Sequence, residues 1–299
     1  DAALEAGGVA NFYSPENAVD ALSFLSAYRR NQEWLLEVPP PQAEPQAPDL
    51  RAIESIHSDA ASARRSVLTT SEAYAVLAAF ELPVAPAATA DTLNEALAAA
   101  RRIGYPVSLS SDASGSLSAG DHSSAQLLRN GRMLTRAWAT LMDSETRRRR
   151  RAPVIVRKGH PFESFTDIAI GVSVDRVFGP VITLGAPKGA GVVQGARVVL
   201  LPPLNERLAR DLVQEDRSTV ARKLRRSDAT LEVLAQLLVR MSGLVCALPW
   251  LRAVELDPVR VEAARAEIIG ARIAIDLSLA ALERPYAHMA IHPYPVEQV

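Results

Sequence analysis

The chain contains a single cysteine, Cys246. That excludes an internal disulfide and any multi-cysteine metal site, and it fits a reducing compartment. Cys246 lies in the apolar stretch LVCAL and reads as a core residue rather than a nucleophile. Lysine is almost as scarce. Of 33 basic residues only Lys158, Lys188 and Lys223 are lysines, so a site holding nucleotide phosphates on lysines has few places to be. No stretch reaches the roughly 18 consecutive apolar residues of a membrane span, and no signal peptide is recognised. The expectation is a cytoplasmic protein without a membrane partner.

The few histidines exclude more chemistry. His288 and His292 have i, i+4 spacing, but Pro293 and Pro295 oppose the helix that would bring them together. No zinc site and no local Ser-His-Asp signature follows from the rest.

What is present is a globular composition: 48% hydrophobic residues, formal charge −1 and 299 residues. That length suits two domains, or one larger α/β unit with an appendage. The arginine run ETRRRRR, residues 145–151, reads as a solvated face. No aromatic residues interleave with it and the net charge is near zero, so nucleic acid is not an expected partner. The chain begins with Asp, which reads as part of something longer or a processed product.

Along the chain, VANFY at 9–13 is expected as a short strand. SPENAVDALSFLSAY follows as a helix with Ser14 as N-cap. PPPQAEPQAP, 39–48, is a proline-rich linker and the clearest boundary. Thr69 with Glu72 and Thr92 with Glu95 each form a capping-box pattern before an apolar face, and Gly104 stops the second helix. Residues 68–110 thus read helix, strand, helix, strand. Residues 111–125 are small and polar, a loop. PVIVR, FTDIAIGVSV, VFGPVITLG and ARVVLL read as an antiparallel set of strands. A helix begins near Asn205. A long amphipathic helix follows, burying Leu231, Leu234, Leu238, Met241 and Val245. LRAVELD and ARIAIDLS close the sheet.

The segment VFGPVITLGAPKGAGVV, 177–193, is a strand feeding a loop with Gly185, Gly189 and Gly191. Such loops bring backbone N–H groups to phosphates. Pro187 at the loop centre has no N–H to give.

Taken in order, LTTSEAYAVLAAFELPV, ARRIGYPVSL, GVSVDRVFGPVITLG, LPPLNERLARDL, AVELDP and AIDLS resemble the ATP-grasp part of NDP-forming acyl-CoA synthetases, relatives of succinyl-CoA synthetase. NFYSPENAVDALSFLSAYRRNQEWLLEVP resembles the end of that family's CoA-ligase domain. YAHMAIHPYP resembles the junction to a GNAT acetyltransferase domain. The combination points to large bacterial protein lysine acetyltransferases.

The resemblance implies an α/β, ATP-grasp fold of two lobes, preceded by the terminal strand and helix of a flavodoxin-like CoA-ligase domain. The expected division is 1–38 for the CoA-ligase end, 39–67 for linker and helix, 68–172 and 173–285 for the two lobes, and 286–299 toward a GNAT domain. Implied partners are the CoA-ligase-like and GNAT domains of the same parent chain, together with homo-oligomerisation.

The family uses ATP or ADP with magnesium. Carried over residue by residue, its phosphate-binding strand lysine falls on Ser110 and its histidine-lysine pair on Ser118 and Ala119. His122 is four positions away. The paired glycines beyond become Ser123 and Ser124. Pro187 and Lys188 replace the glycine pair of the opening loop. The ELDINP pattern is shortened to Glu255-Leu256-Asp257-Pro258, without its magnesium-binding asparagine. Asp276 matches a family metal position. The candidate cofactor-facing residues are Val156 and Arg157, at the family's adenine hinge, with Lys158 and Lys188. Asp276 is the metal candidate. Their structural reading is Val156 in the core, exposed lysines, and Asp276 capping a strand end.

These losses imply that neither nucleotide nor magnesium is retained and that no catalytic residue remains. Three readings stand. The first is a non-catalytic region regulating an attached acetyltransferase. The second is an active ADP-forming acyl-CoA synthetase subunit, an acid-thiol ligase that binds ATP. The third is an oligomerisation scaffold without ligand.

Overall fold

A computed structural model describes residues 6–36, 48–111, 126–147, 153–159, 165–187, 198–215 and 227–277. The chain separates into two units, 1–47 and 48–299.

Among its described residues the first unit is built mainly from α1 (Pro15–Leu36). Ser14 begins it as expected, its Oγ accepting from the Asn17 amide at 3.3 Å. The expected strand at 9–13 does not form. A strand needs a neighbour for its N–H and C=O groups, and none lies among this unit's described residues. Phe12 and Tyr13 are exposed instead.

The second unit opens with α2 (Leu50–Ser62) and α3 (Thr70–Ala79). The Thr69 capping box is complete: Thr69 Oγ1 accepts from the Glu72 amide, and the Glu72 carboxylate accepts from the Thr69 amide at 2.8 Å. Arg65 grips the same carboxylate with two 2.8 Å bonds. The arginine holds the Glu72 carboxyl down at about 2, with the Thr69 backbone and hydroxyl adding to it.

A small antiparallel sheet follows, in the order β1 (Ala87–Ala90), β3 (Val154–Lys158), β2 (Val107–Ser111). One face packs on α4 (Leu93–Ile103) and α5 (Gly131–Arg147), around Ala96, Leu128, Leu134, Trp138, Val154 and Val156. Thr92 caps α4, and Gly104 ends it at φ +85°, a left-handed conformation that glycine takes without strain.

The larger sheet runs β6 (Val198–Leu200), β5 (Gly179–Gly185), β4 (Thr166–Asp175), β7 (Leu251–Glu262), β8 (Arg265–Ile268). The first half of β7 also pairs with β9 (Ala271–Ile275). Pro258 lacks an N–H, and β7 changes partner there: up to Leu256 it faces β9, and from Val259 it faces β8. PVIVR is therefore not in one set with the other strands; it centres the small sheet.

α6 (Glu206–Glu215) and α7 (Asp228–Ala247) complete the core of the large sheet. Asn205 Oδ1 caps α6 through the Leu208 amide. α7 is long and apolar enough in composition to cross a membrane, yet its expected stripe, Leu231 to Val245, is buried in this core. The boundary expected between Val172 and Ser173 falls inside β4, which belongs wholly to the large sheet. α2 and α3 also pack into the large core, through Ile53, Val76 and Leu77.

Candidate functional site

Strand alternation gives each sheet one face on its core and one away from it. On the large sheet Ile168, Ile170 and Val172 point into the core. Ala169, Gly171 and Ser173 point the other way. A trough of about 200 Å³ opens there, lined among others by Gly171, Ser173, Thr183, Glu255 and Asp257. Gly171 keeps it open: a Cβ at that position would stand 2.8 Å from Thr183 Oγ1.

The register places Arg272 of β9 opposite Glu255 of β7. Its Nη1 is 4.0 Å from Glu255 Oε2. Beside Asp257, which is buried, lies Gly270, whose carbonyl accepts from the Asp257 amide at 3.0 Å. Glycine offers no ligand there.

Asp276 is not brought to this place. It lies four positions beyond Arg272, about 13 Å along the strand at ~3.3 Å per residue. Its amide donates to the Trp250 carbonyl at 2.8 Å, and its own carbonyl is 3.4 Å from His57 Nε2. That arrangement is a strand-end clasp. His57 lies buried against Trp250, rings stacked with centroids 4.7 Å apart. The pairing of these rings was not legible in sequence, because the two residues are far apart in the chain.

Lys158 is tied inside the small lobe. Its ammonium donates to the carbonyls of Gly104 at 2.7 Å and Tyr105 at 3.1 Å. It is half-buried, not the exposed lysine anticipated. Val156 lies in the core, fully buried. Arg157 is on the opposite face of the same strand and is 3% exposed. Lys188 lies outside the described residues, as do His122 and the Ser118–Ala119 position.

Magnesium with a triphosphate asks for several carboxylate or amide oxygens around the ion and cations on the phosphates. Glu255 instead faces a guanidinium, Asp257 neighbours a glycine, and Lys158 is engaged by carbonyls. Among the described residues no group of three His, Cys, Asp or Glu gathers for a metal. These residues do not fit a magnesium triphosphate.

The fold has a clear kinship. The model of the ATP-grasp domain matches residues 59–275. The chain belongs to the ATP-grasp domain family. Its architecture of two sheets with flanking helices is the expected α/β ATP-grasp fold. The "Acetate--CoA ligase [ADP-forming] I" of Archaeoglobus fulgidus is 28% identical over 267 residues. That match takes in 86% of this chain but only 38% of the archaeal protein. The beta subunit of "Acetate--CoA ligase [ADP-forming] II" of Pyrococcus furiosus is 28% identical, over 70% of this chain and 92% of that subunit. Among solved structures, the acetyl-coenzyme A synthetase 1 of Ca. Korarchaeum cryptofilum, in complex with coenzyme A and Ca-AMPCP, has a TM-score of 0.65. It is 20% identical, over 74% of this chain and 99% of its own. At that identity the likeness is one of fold.

The trough thus draws on Glu255 and Asp257, which the sequence marked only as a shortened pattern, and on Gly171, Ser173 and Thr183, which it did not mark. Alternation along β4, β5 and β7 carried the signal for these, while the place of Arg272 opposite Glu255 depends on the β7–β9 register.

Proposed function

We propose that this chain is the ATP-grasp region of an NDP-forming acyl-CoA synthetase-like protein that no longer turns over magnesium ATP. It regulates a protein acetyltransferase domain of the same parent chain, in the cytoplasm and as a homo-oligomer. In this reading residues 1–38 close a CoA-ligase-like domain and residues 286–299 lead toward the GNAT domain. The observation that carries it is the β7–β9 register, which sets Arg272 against Glu255 and Gly270 beside Asp257. A charge-assisted contact to phosphate is worth about 1.5–3 kcal/mol, so a site short of several such contacts loses binding by orders of magnitude.

The second reading is an active beta-type subunit of an ADP-forming acyl-CoA synthetase. The match to 92% of the Pyrococcus furiosus beta subunit favours it. A coupled assay of ADP release, with an added CoA-ligase partner subunit, acetate, CoA, magnesium and ATP, separates the two. The proposal expects no acetate- and CoA-dependent ADP. Turnover that depends on both, and on this chain, would establish the second reading instead.

A further inference from the structure

Positive charge is concentrated in the small lobe. Residues 87–158 carry 12 Lys and Arg against 6 Asp and Glu, whereas the rest of the chain carries 21 against 28. A charge split of this kind within one chain bears on partners rather than on fold.

The fold gathers part of that charge at one end of the lobe. Arg101 and Arg102 lie in the last turn of α4. Arg129 follows Leu128, whose amide and carbonyl pair with Val107, just past that end of α4. α5 starts at the same place: a Cβ on Gly131 would stand 3.3 Å from Leu97 Cδ2 and 3.5 Å from the Tyr105 hydroxyl. Leu97 is one turn before Arg101 on the same face of α4. Arg132 and Arg136 then extend the row along α5 as an i, i+4 pair.

All five arginines are exposed. None of them holds an ion pair or hydrogen bond with the described residues. The one carboxylate of α4, Glu95, sits in the opposite, first turn and accepts from the Asp91 amide at 2.9 Å. On α5, Asp143 comes seven residues after Arg136, about 10 Å along the axis.

The chemistry of this face selects its partner. Among the described residues of the lobe no large apolar side chain is exposed, so the face offers charge without an apolar anchor for a membrane or a greasy groove. No exposed aromatic ring stands among the arginines to stack a base. A long polyanion that reached past the lobe would meet a remainder in which acids outnumber bases. A short run of carboxylates meets the arginines alone, and the guanidinium fork pairs with carboxylate oxygens two at a time.

We propose that Arg101, Arg102, Arg129, Arg132 and Arg136 form a docking surface for an acidic, Asp- and Glu-rich segment of a partner protein. The surface stands apart from the trough, and it does not depend on whether the chain turns over ATP.

The test is fluorescence anisotropy with the full chain at low ionic strength, with folding verified by circular dichroism. The probes are a fluorescein-labelled oligoglutamate peptide, an oligolysine peptide of equal length and a short DNA duplex. Oligoglutamate is expected to bind, more weakly as salt is added, and oligolysine is not. The double variants Arg101→Glu/Arg102→Glu and Arg132→Glu/Arg136→Glu are each expected to weaken oligoglutamate binding about tenfold or more. The variant Arg132→Lys/Arg136→Lys keeps the charge and is expected to retain most of it.

Arg51→Glu/Arg252→Glu changes the net charge by the same amount at two exposed arginines elsewhere and is expected to leave binding unchanged. Equal weakening in that control overturns the proposal, because overall charge then suffices. Absence of oligoglutamate binding overturns it as well. A duplex that binds more tightly than oligoglutamate, and loses binding in the same two reversals, overturns the protein partner in favour of nucleic acid.

Discussion

Arg272 stands opposite Glu255 across β7 and β9, its Nη1 4.0 Å from Glu255 Oε2. The pair lies at the outer limit of an ion pair, and both side chains are about a third or more exposed. Its worth to stability is no more than about 1 kcal/mol. Arg272→Ala is expected to move the urea midpoint little. It is also expected to leave manganese binding weak, since removing a cation adds no ligand beside Glu255. Micromolar manganese binding in the variant would show that Arg272 alone blocks a metal site.

Gly171 governs the space in the trough. Gly171→Ala places a Cβ 2.8 Å from Thr183 Oγ1, so the threonine side chain or the backbone beside it must give way. The expected cost is about 1–3 kcal/mol. Thr183→Ala removes the opposing oxygen, so the double variant is expected to recover most of that loss in a mutant cycle. Strict additivity would contradict the contact.

Lys158 is assigned here to structure. Lys158→Met removes two donations to backbone carbonyls and is expected to destabilise the chain by about 1.5–3 kcal/mol. Lys158→Arg, which keeps a cationic donor for the Gly104 and Tyr105 carbonyls, is expected to recover part of that loss. A melting temperature unchanged in Lys158→Met would contradict the structural assignment.

Glu72 gives a pH dependence with a defined sign. Arg65 and the Thr69 cap hold its folded pKa at about 2, against an ordinary carboxyl value of 4.5. A depressed carboxylate pKa stabilises the fold above the unfolded value, and that contribution fades as pH falls from 4.5 toward 2. Glu72→Gln is therefore expected to lower the melting temperature at pH 7. The gap to the parent protein closes as pH falls through that window. A gap that stays constant with pH would contradict the assignment.

The elements with local signatures were legible in the sequence. Thr69–Glu72, Thr92–Glu95, Gly104 and Asn205 punctuate helices by contacts within a few residues, and each stands where its pattern places it. The α7 stripe was legible for the same reason. What depended on distant pairing was not. VANFY has strand-like residues but no neighbour, so propensity had nothing to act on. PVIVR joins β1 and β2 rather than the later strands. β8 is short and follows β7 after two residues, without a turn motif that marks it.

The site divides along the same line. Ser110, Val156 and Arg157 could be placed on strands, but only the register shows that Val156 and Arg157 face opposite ways. Asp276 read as a metal ligand because neighbouring letters matched; the β7–β9 register carries it past Glu255 to the Trp250 carbonyl.

The most direct measurement is a single-turnover incubation of the full chain with magnesium and γ-³²P-labelled ATP, followed by separation under alkaline conditions that preserve phosphohistidine. An inert ATP-grasp region predicts no label on the chain and no ADP above the no-protein control. Stoichiometric label on a histidine of this chain, lost when CoA and acetate are added, would contradict the account and make the chain an active synthetase subunit.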